Sequence, residues 1–114
     1  MGRQISKGVA PTVVLGLPGV AITTSSTISS NRIYYIDTTS GAVTLTLPST
    51  PSQGDVVQMI DVSGTFGTNN LIVNPGSGRI MRQTATDTMT VSVAGAAFSL
   101  VYYDSTNGWL LENI

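Results

Sequence analysis

Hydrophobic and polar residues alternate along much of the chain from about residue 32 onward. The clearest case is residues 42–47, in which threonines separate Val43, Leu45 and Leu47. Similar runs, rich in β-branched and aromatic residues, occupy residues 32–37, 56–61, 71–74, 88–93, 98–103 and 108–113, with Gly, Pro, Asn and Asp between most of them. Short strands at this spacing, separated by turn signals, predict an all-β sandwich or barrel with minimal helix.

The same alternation predicts which side chains face the core. Two sets recur at every second position, namely Val43, Leu45 and Leu47, and Met89, Val91 and Val93. Trp109 is expected to fill one end of the core. The last two runs predict a hairpin across residues 104–107, and the pair Asn107-Gly108 tolerates the positive φ that such a turn uses.

Residues 1–31 differ from the rest of the chain because they hold no period-2 run, and Pro and Gly interrupt each apolar stretch. This pattern favours an extended path. Its apolar side chains are too many to leave in water. We therefore expect an extended N-terminal arm of residues 1–31, which lies on a partner, in front of a β domain of residues 32–114. The candidate partner-binding residues of the arm are Val13, Val14, Leu15, Leu17, Val20 and Ile22.

Composition then removes several classes of function. The 114 residues include no His and no Cys, which excludes Ser-His-Asp and Cys-His catalysis, disulfides and Cys/His zinc sites. Only 10% of residues are charged and the net charge is −1, so the basic surface that binds nucleic acid is missing. No apolar stretch reaches the length of a membrane span. In place of charge the chain has 16 Thr and 13 Ser, which suits surfaces that pack against other protein.

Four kinds of site remain to be weighed. Acidic residues at strand ends (Asp37, Asp55, Asp61 and Asp104) allow a glycosidase pair, but Asp in this position usually caps a turn. The loop at residues 76–79 lacks the helix that phosphate-binding loops precede. A turn that presents Arg79 and Arg82 favours interface contacts instead, and both are candidate partner-binding residues. An aromatic platform for sugar would use Tyr34, Tyr35, Tyr102, Tyr103 and Trp109, although adjacent tyrosines in a strand face opposite sides. No catalytic, cofactor or metal residue is assigned.

Several sequence segments occur in a characteristic order. They are residues 35–48, which contain Asp37-Thr38-Thr39-Ser40-Gly41, then Gly54-Asp55-Val56-Val57, and finally Tyr102-Tyr103-Asp104 and Gly108-Trp109. These segments, in this order, resemble a β module of tailed-bacteriophage virion proteins, which include fibres, tail accessories and capsid decoration (cement) proteins. The resemblance covers about residues 33–112 and carries no catalytic residue.

The resemblance implies a structural role and a homo-oligomer, a dimer or a trimer. Combined with the pattern of the residues, it predicts one β-sandwich domain, jelly-roll-like, with an N-terminal arm. The expected function is that of a non-enzymatic decoration protein on the capsid exterior, which binds the major capsid protein or other virion proteins and needs no cofactor, nucleic acid or membrane. Two alternatives stay open: a tail or head-fibre attachment protein, and a carbohydrate-binding adsorption module.

Overall fold

The chain folds into two mixed β-sheets. The computed structural model describes residues 16–112, in which nine strands and no helix are found. The strands are β1 (Gly19–Ile22), β2 (Ser26–Thr27), β3 (Arg32–Ile36), β4 (Val43–Thr46), β5 (Val56–Asp61), β6 (Leu71–Asn74), β7 (Met89–Val91), β8 (Ala97–Asp104) and β9 (Gly108–Glu112). One sheet has the order β1-β3-β5-β8-β9 and the other β2-β4-β6-β7. The all-β prediction is confirmed.

The first six strands form three rungs, each with one strand in either sheet: β1–β2, β3–β4 and β5–β6. Each strand pairs in parallel with the equivalent strand of the next rung, so that Gly19 lies opposite Ile33 and Val43 opposite Leu71. Parallel neighbours need a crossover connection, and here the strand of the other sheet supplies it. The antiparallel strands β7, β8 and β9 end the stack, and β8–β9 is the predicted final hairpin.

Both sheets contribute side chains to one hydrophobic core. Its fully buried members include Ile36, Val43, Leu45, Leu47, Val57, Met59, Phe66, Leu71, Val73, Leu100 and Trp109. The ring of Tyr102 packs edge-on against Trp109, with ring centroids 5.3 Å apart. The predicted burial of Val43, Leu45, Leu47 and Trp109 is confirmed.

Val93 is a correction to the second predicted set. Met89 and Val91 pack against the core, but Val93 is 66% exposed. The reason is that β7 ends at Val91, and a tight turn follows whose Ala96 N–H donates to the carbonyl oxygen of Val93. The period-2 pattern of the sequence extends past the point at which the strand stops.

Jelly-roll topology is not confirmed, because a jelly roll consists of antiparallel strands. In residues 16–112, four of the seven strand pairs are parallel. Two sheets on a common core remain consistent with the predicted sandwich. Alternation along a strand specifies which side chains face the core, but it does not specify the direction of the neighbouring strand.

The N-terminal arm is not found in the part of the chain that the structure describes. Strands β1 and β2 fall within residues 1–31, yet they pair with β3 and β4, and Ile22 and Ile28 are buried in the core. These strands need no long alternation of their own, because the second rung offers them a template of backbone hydrogen bonds. Residues 16–31 therefore belong to the folded domain, and residues 1–15 lie outside the described residues.

Candidate interaction surface

At the first rung, no other strand of residues 16–112 lies beyond β1 and β2, and we call this pair of edges the open end. The carbonyl oxygens of Pro18 and Ile22 each accept a hydrogen bond from the segment of β3, at 2.9 Å. Along a parallel pair, successive residues direct their N–H and C=O groups to opposite sides. Gly19 and Ala21 therefore direct their N–H and C=O groups away from β3. Both residues are exposed.

Strand β2 repeats this arrangement in the second sheet. The N–H of Ile28 donates to the carbonyl oxygen of Thr46 at 2.9 Å, so Thr27 directs its backbone groups to the open end. No backbone group of residues 16–112 bonds to the outward groups of Gly19, Ala21 or Thr27. Soluble proteins usually protect such edges with charged residues or Pro. Residues 16–31 contain no charged residue.

The other end of the five-stranded sheet is covered, and we call it the closed end. Residues 79–82 run along the outer edge of β9. The N–H of Met81 donates to the carbonyl oxygen of Trp109 at 2.8 Å, and the N–H of Trp109 donates to that of Arg79 at 2.9 Å. Gly108, with φ of 76°, makes this approach possible, because a Cβ at Gly108 would overlap the carbonyl group of Arg79. Within residues 16–112, the first rung is thus left uncovered, and the far edge of the five-stranded sheet is bonded at Trp109.

The structure separates the predicted partner-binding residues. Leu17 and Val20 are half-buried and Ile22 is buried, all at the open end. Arg79 and Arg82 lie at the closed end, where the Arg79 guanidinium donates to the carbonyl oxygen of Gln83 at 3.0 Å and Arg82 is exposed. Val13, Val14 and Leu15 lie outside the described residues. Among the candidates within residues 16–112, the arginines and the apolar residues therefore do not form one contact surface.

Apolar residues that were not predicted as a surface occupy part of the outer face of the five-stranded sheet, the side away from the core. They are Ile33, Tyr35, Ile60, Val101 and Leu110, at positions that alternate with buried residues of the same strands, and Gln58 and Ser99 lie among them on the same face. Tyr35 is 39% exposed and the other four are half-buried. The signal was present in the sequence as runs without alternation, such as Ile33-Tyr34-Tyr35-Ile36. Continuous apolar runs are typical of strands that are covered on both faces.

The outer face of the four-stranded sheet has a different character. Its members are Thr44, Thr46, Ile72, Asn74 and Thr90, so hydroxyl and amide groups dominate. The abundance of Thr and Ser in the sequence predicts partner contact through threonine-rich faces. The structure instead distinguishes a polar Thr face from an apolar face on the opposite side of the molecule.

Asp61 forms the most extensive polar site among the described residues. It follows the inward register of β5 and is 6% exposed. One carboxylate oxygen accepts the N–H groups of Gly64 and Thr65, at 2.9 and 3.1 Å, and the other accepts those of Phe66 and Gly95, at 3.0 and 2.9 Å. Burial raises the pKa of Asp61, but the four N–H donors outweigh burial and hold the pKa below its usual value.

The other three acidic residues at strand ends also cap turns, as the sequence predicts. Asp37 accepts the N–H of Thr39 at 2.9 Å, Asp55 accepts that of Ser52 at 3.0 Å, and Asp104 accepts those of Thr106 and Asn107 at 3.1 and 2.7 Å. Within residues 16–112, no cluster of three or more acidic side chains is placed to hold a metal ion. The carboxylates therefore stabilise loops locally.

The aromatic residues do not meet on one surface. Tyr34 is buried, with its hydroxyl bonded to the backbone of Ser29, and Trp109 is 1% exposed. Tyr35 lies beside Ile60, at the end of β5, whereas Tyr103 follows the residues that pair with the start of β5. The two exposed tyrosines are thus at opposite ends of the strands.

Comparison of the chain with protein-family models and with curated proteins finds no match. Across residues 16–112 the structure has no helix with the length and apolar character of a membrane span. Support for a function comes from the residues and the geometry of the chain itself.

Proposed function

We propose that the protein is a non-enzymatic structural protein of a virion, and specifically a capsid decoration protein that binds and stabilises the shell of the major capsid protein. The two sheets serve as the two layers of a sandwich. In this role the protein acts by binding other virion proteins on the capsid exterior.

The observation that carries the proposal is the apolar outer face of the five-stranded sheet. Tyr35 lies opposite Ile60 on β3 and β5, with Ile33 diagonal to Ile60, and Val101 lies opposite Leu110 on β8 and β9. Gln58 and Ser99 lie between these two apolar groups. Each Å² of apolar surface removed from water contributes about 25 cal/mol. A protein partner that covers this face gains that stabilisation, with few charges to desolvate.

The test compares two matched isoleucines. Ile60 is half-buried on β5 and faces outward from the five-stranded sheet, and Ile72 is half-buried on β6 and faces outward from the four-stranded sheet. We expect Ile60→Lys to abolish co-sedimentation of the full chain with phage heads that lack it, and Ile72→Lys to retain it. Tyr35→Lys, at a more exposed position, is the second variant if Ile60→Lys fails to fold.

Two results would contradict this proposal. One is equal co-sedimentation of the Ile60 and Tyr35 variants with the unmodified chain. The other is absence of the chain from purified virions by mass spectrometry.

A tail or head-fibre attachment protein is the second candidate, and the closed and open ends favour it. A stack in which residues 16–112 leave the first rung uncovered and bond the far edge of the five-stranded sheet at Trp109 is suited to end-on mounting. Copy number distinguishes the two roles, because decoration of a shell needs hundreds of copies per virion and a fibre needs far fewer. A carbohydrate-binding module would need an aromatic platform, and the separation of Tyr35 from Tyr103 does not favour one.

A further inference from the structure

We propose that two copies of this chain pair through their open ends, edge to edge, so that both sheets continue from one copy into the other. The occupant of the open end is thus a second copy of the same chain. This inference does not depend on the virion role, because it follows from the backbone groups of β1 and β2.

The first argument is the direction of the outward backbone groups, to which no backbone group of residues 16–112 bonds. Gly19 and Ala21 direct N–H and C=O groups outward from the five-stranded sheet, and Thr27 does so from the four-stranded sheet. A single added strand satisfies only one of these two edges. A second copy presents both edges at once, in the same relative positions.

The second argument is symmetry. A two-fold axis perpendicular to both sheets turns β1 into an antiparallel neighbour of its own copy and keeps each sheet in its own layer. Centred on Val20, this pairing places Gly19 of one copy opposite Ala21 of the other. Residues placed opposite each other in this way exchange both of their backbone hydrogen bonds. The same axis brings the two β2 edges together.

The third argument is charge. The first charged residue after residue 16 is Arg32, so the open end places no like charges against each other when two copies meet. The opposite edge of the five-stranded sheet is less available, because residues 79–82 already bond to β9 at Trp109. The open end therefore presents edges of both sheets without charge.

Hydrogen exchange on the full chain gives the first test. In a dimer of this kind the N–H groups of Gly19 and Ala21 are protected, and dilution to the monomer exposes them. The N–H groups of Val20 and Ile22 face β3 and stay protected in both states. Sedimentation velocity over the same dilution series measures the dimer directly. A chain that is monomeric at every concentration, or a dimer in which Gly19 and Ala21 exchange freely, would overturn the proposal.

Charge-swapped variants give the second test. Ala21 is exposed at the edge, and Ala21→Lys or Ala21→Glu alone places like charges across the two-fold axis. We expect each variant alone to dimerise about tenfold more weakly at low ionic strength, and an equimolar mixture of the two to recover the dimer. Thr90→Lys, on β7 away from the open end, is the matched control and retains the dimer. If either Ala21 variant alone dimerises as tightly as the unmodified chain, the contact lies elsewhere and the proposal is refuted.

Discussion

Replacing Asp61 by Asn tests how much of the fold depends on one buried carboxylate. Both of its oxygens are used, each by two backbone N–H groups, from residues 64–66 and from Gly95. An Asn side chain keeps one oxygen and therefore two of the four hydrogen bonds. Its NH₂ group then faces two N–H donors, which it repels. Asp104 is the matched control, because only its Oδ1 atom accepts hydrogen bonds from the turn.

The expected loss in the free energy of unfolding follows from this number of hydrogen bonds. A hydrogen bond to a charged acceptor contributes about 1.5–3 kcal/mol when broken by removal of one partner. Two lost bonds at a site that is 6% exposed, with partial relaxation of the loops, give about 3 kcal/mol for Asp61→Asn. Asp104→Asn keeps its accepting oxygen and should cost less than about 1 kcal/mol.

Urea denaturation of the full chain measures both variants against the unmodified protein. For a domain of about this size, 1 kcal/mol corresponds to about 4–8 °C in Tm, so thermal melts should separate the two variants clearly. If Asp61→Asn loses no more unfolding free energy than Asp104→Asn, the reasoning is refuted, because the second oxygen of Asp61 would then contribute nothing to stability.

The remaining predictions concern acid stability, one glycine, one core position and salt. The pKa of Asp61 is held below the usual 3.8 in the folded protein. Its contribution to stability is therefore complete above pH 3.8 and is lost as the pH falls through the lower folded-state pKa. Below about pH 4, the urea midpoint of Asp61→Asn should decline less steeply with falling pH than that of the unmodified chain. Gly108→Ala should lower the free energy of unfolding by more than about 3 kcal/mol, because the new Cβ would overlap Arg79. Gly95→Ala, at a similar φ but with free space around its Cβ, should lower it by about 1 kcal/mol in the same denaturation assay. Val43→Asp, at 1% exposure, should abolish cooperative unfolding, and Thr44→Asp should retain it in a thermal melt. Attachment to virion partners should weaken little between low and moderate salt, and a steep loss would assign attachment to the few charged residues.

The sequence predicted individual strands better than it predicted their arrangement. The runs at 56–61 and 71–74 coincide with β5 and β6, and the hairpin at 104–107 is present. These elements depend on local alternation and turn chemistry, which the sequence displays. The parallel pairing of rungs depends on partners 14 or more residues away, such as Gly19 and Ile33. Local pattern carries no information about that choice.

The candidate surface was predicted less well for a related reason. Apolar residues between Pro and Gly in residues 1–31 predicted contact with a partner, but Ile22 is buried in the core of the domain itself and Val20 packs against that core. The apolar positions Ile33, Tyr35 and Ile60 come from two strands, β3 and β5, that only tertiary pairing brings together. A sequence motif that is continuous in the chain does not exist for such a face. The turn-capping role of Asp61 was predicted, because residues 64–66 follow it closely in the chain, whereas its contact with Gly95 depends on tertiary structure.

The stacked rungs also make the domain mechanically anisotropic. The ladders between rungs hydrogen-bond across the strands, from β1 through β3 to β5 and from β2 through β4 to β6. A force along the stack, perpendicular to the strands, breaks the hydrogen bonds of a ladder one after another, so a small force is enough to separate the strands. A force along the strands acts in shear and must break all the bonds of a ladder together. A protein that bears tension through this domain therefore gains strength when its strands, and not its stack, lie along the direction of the load.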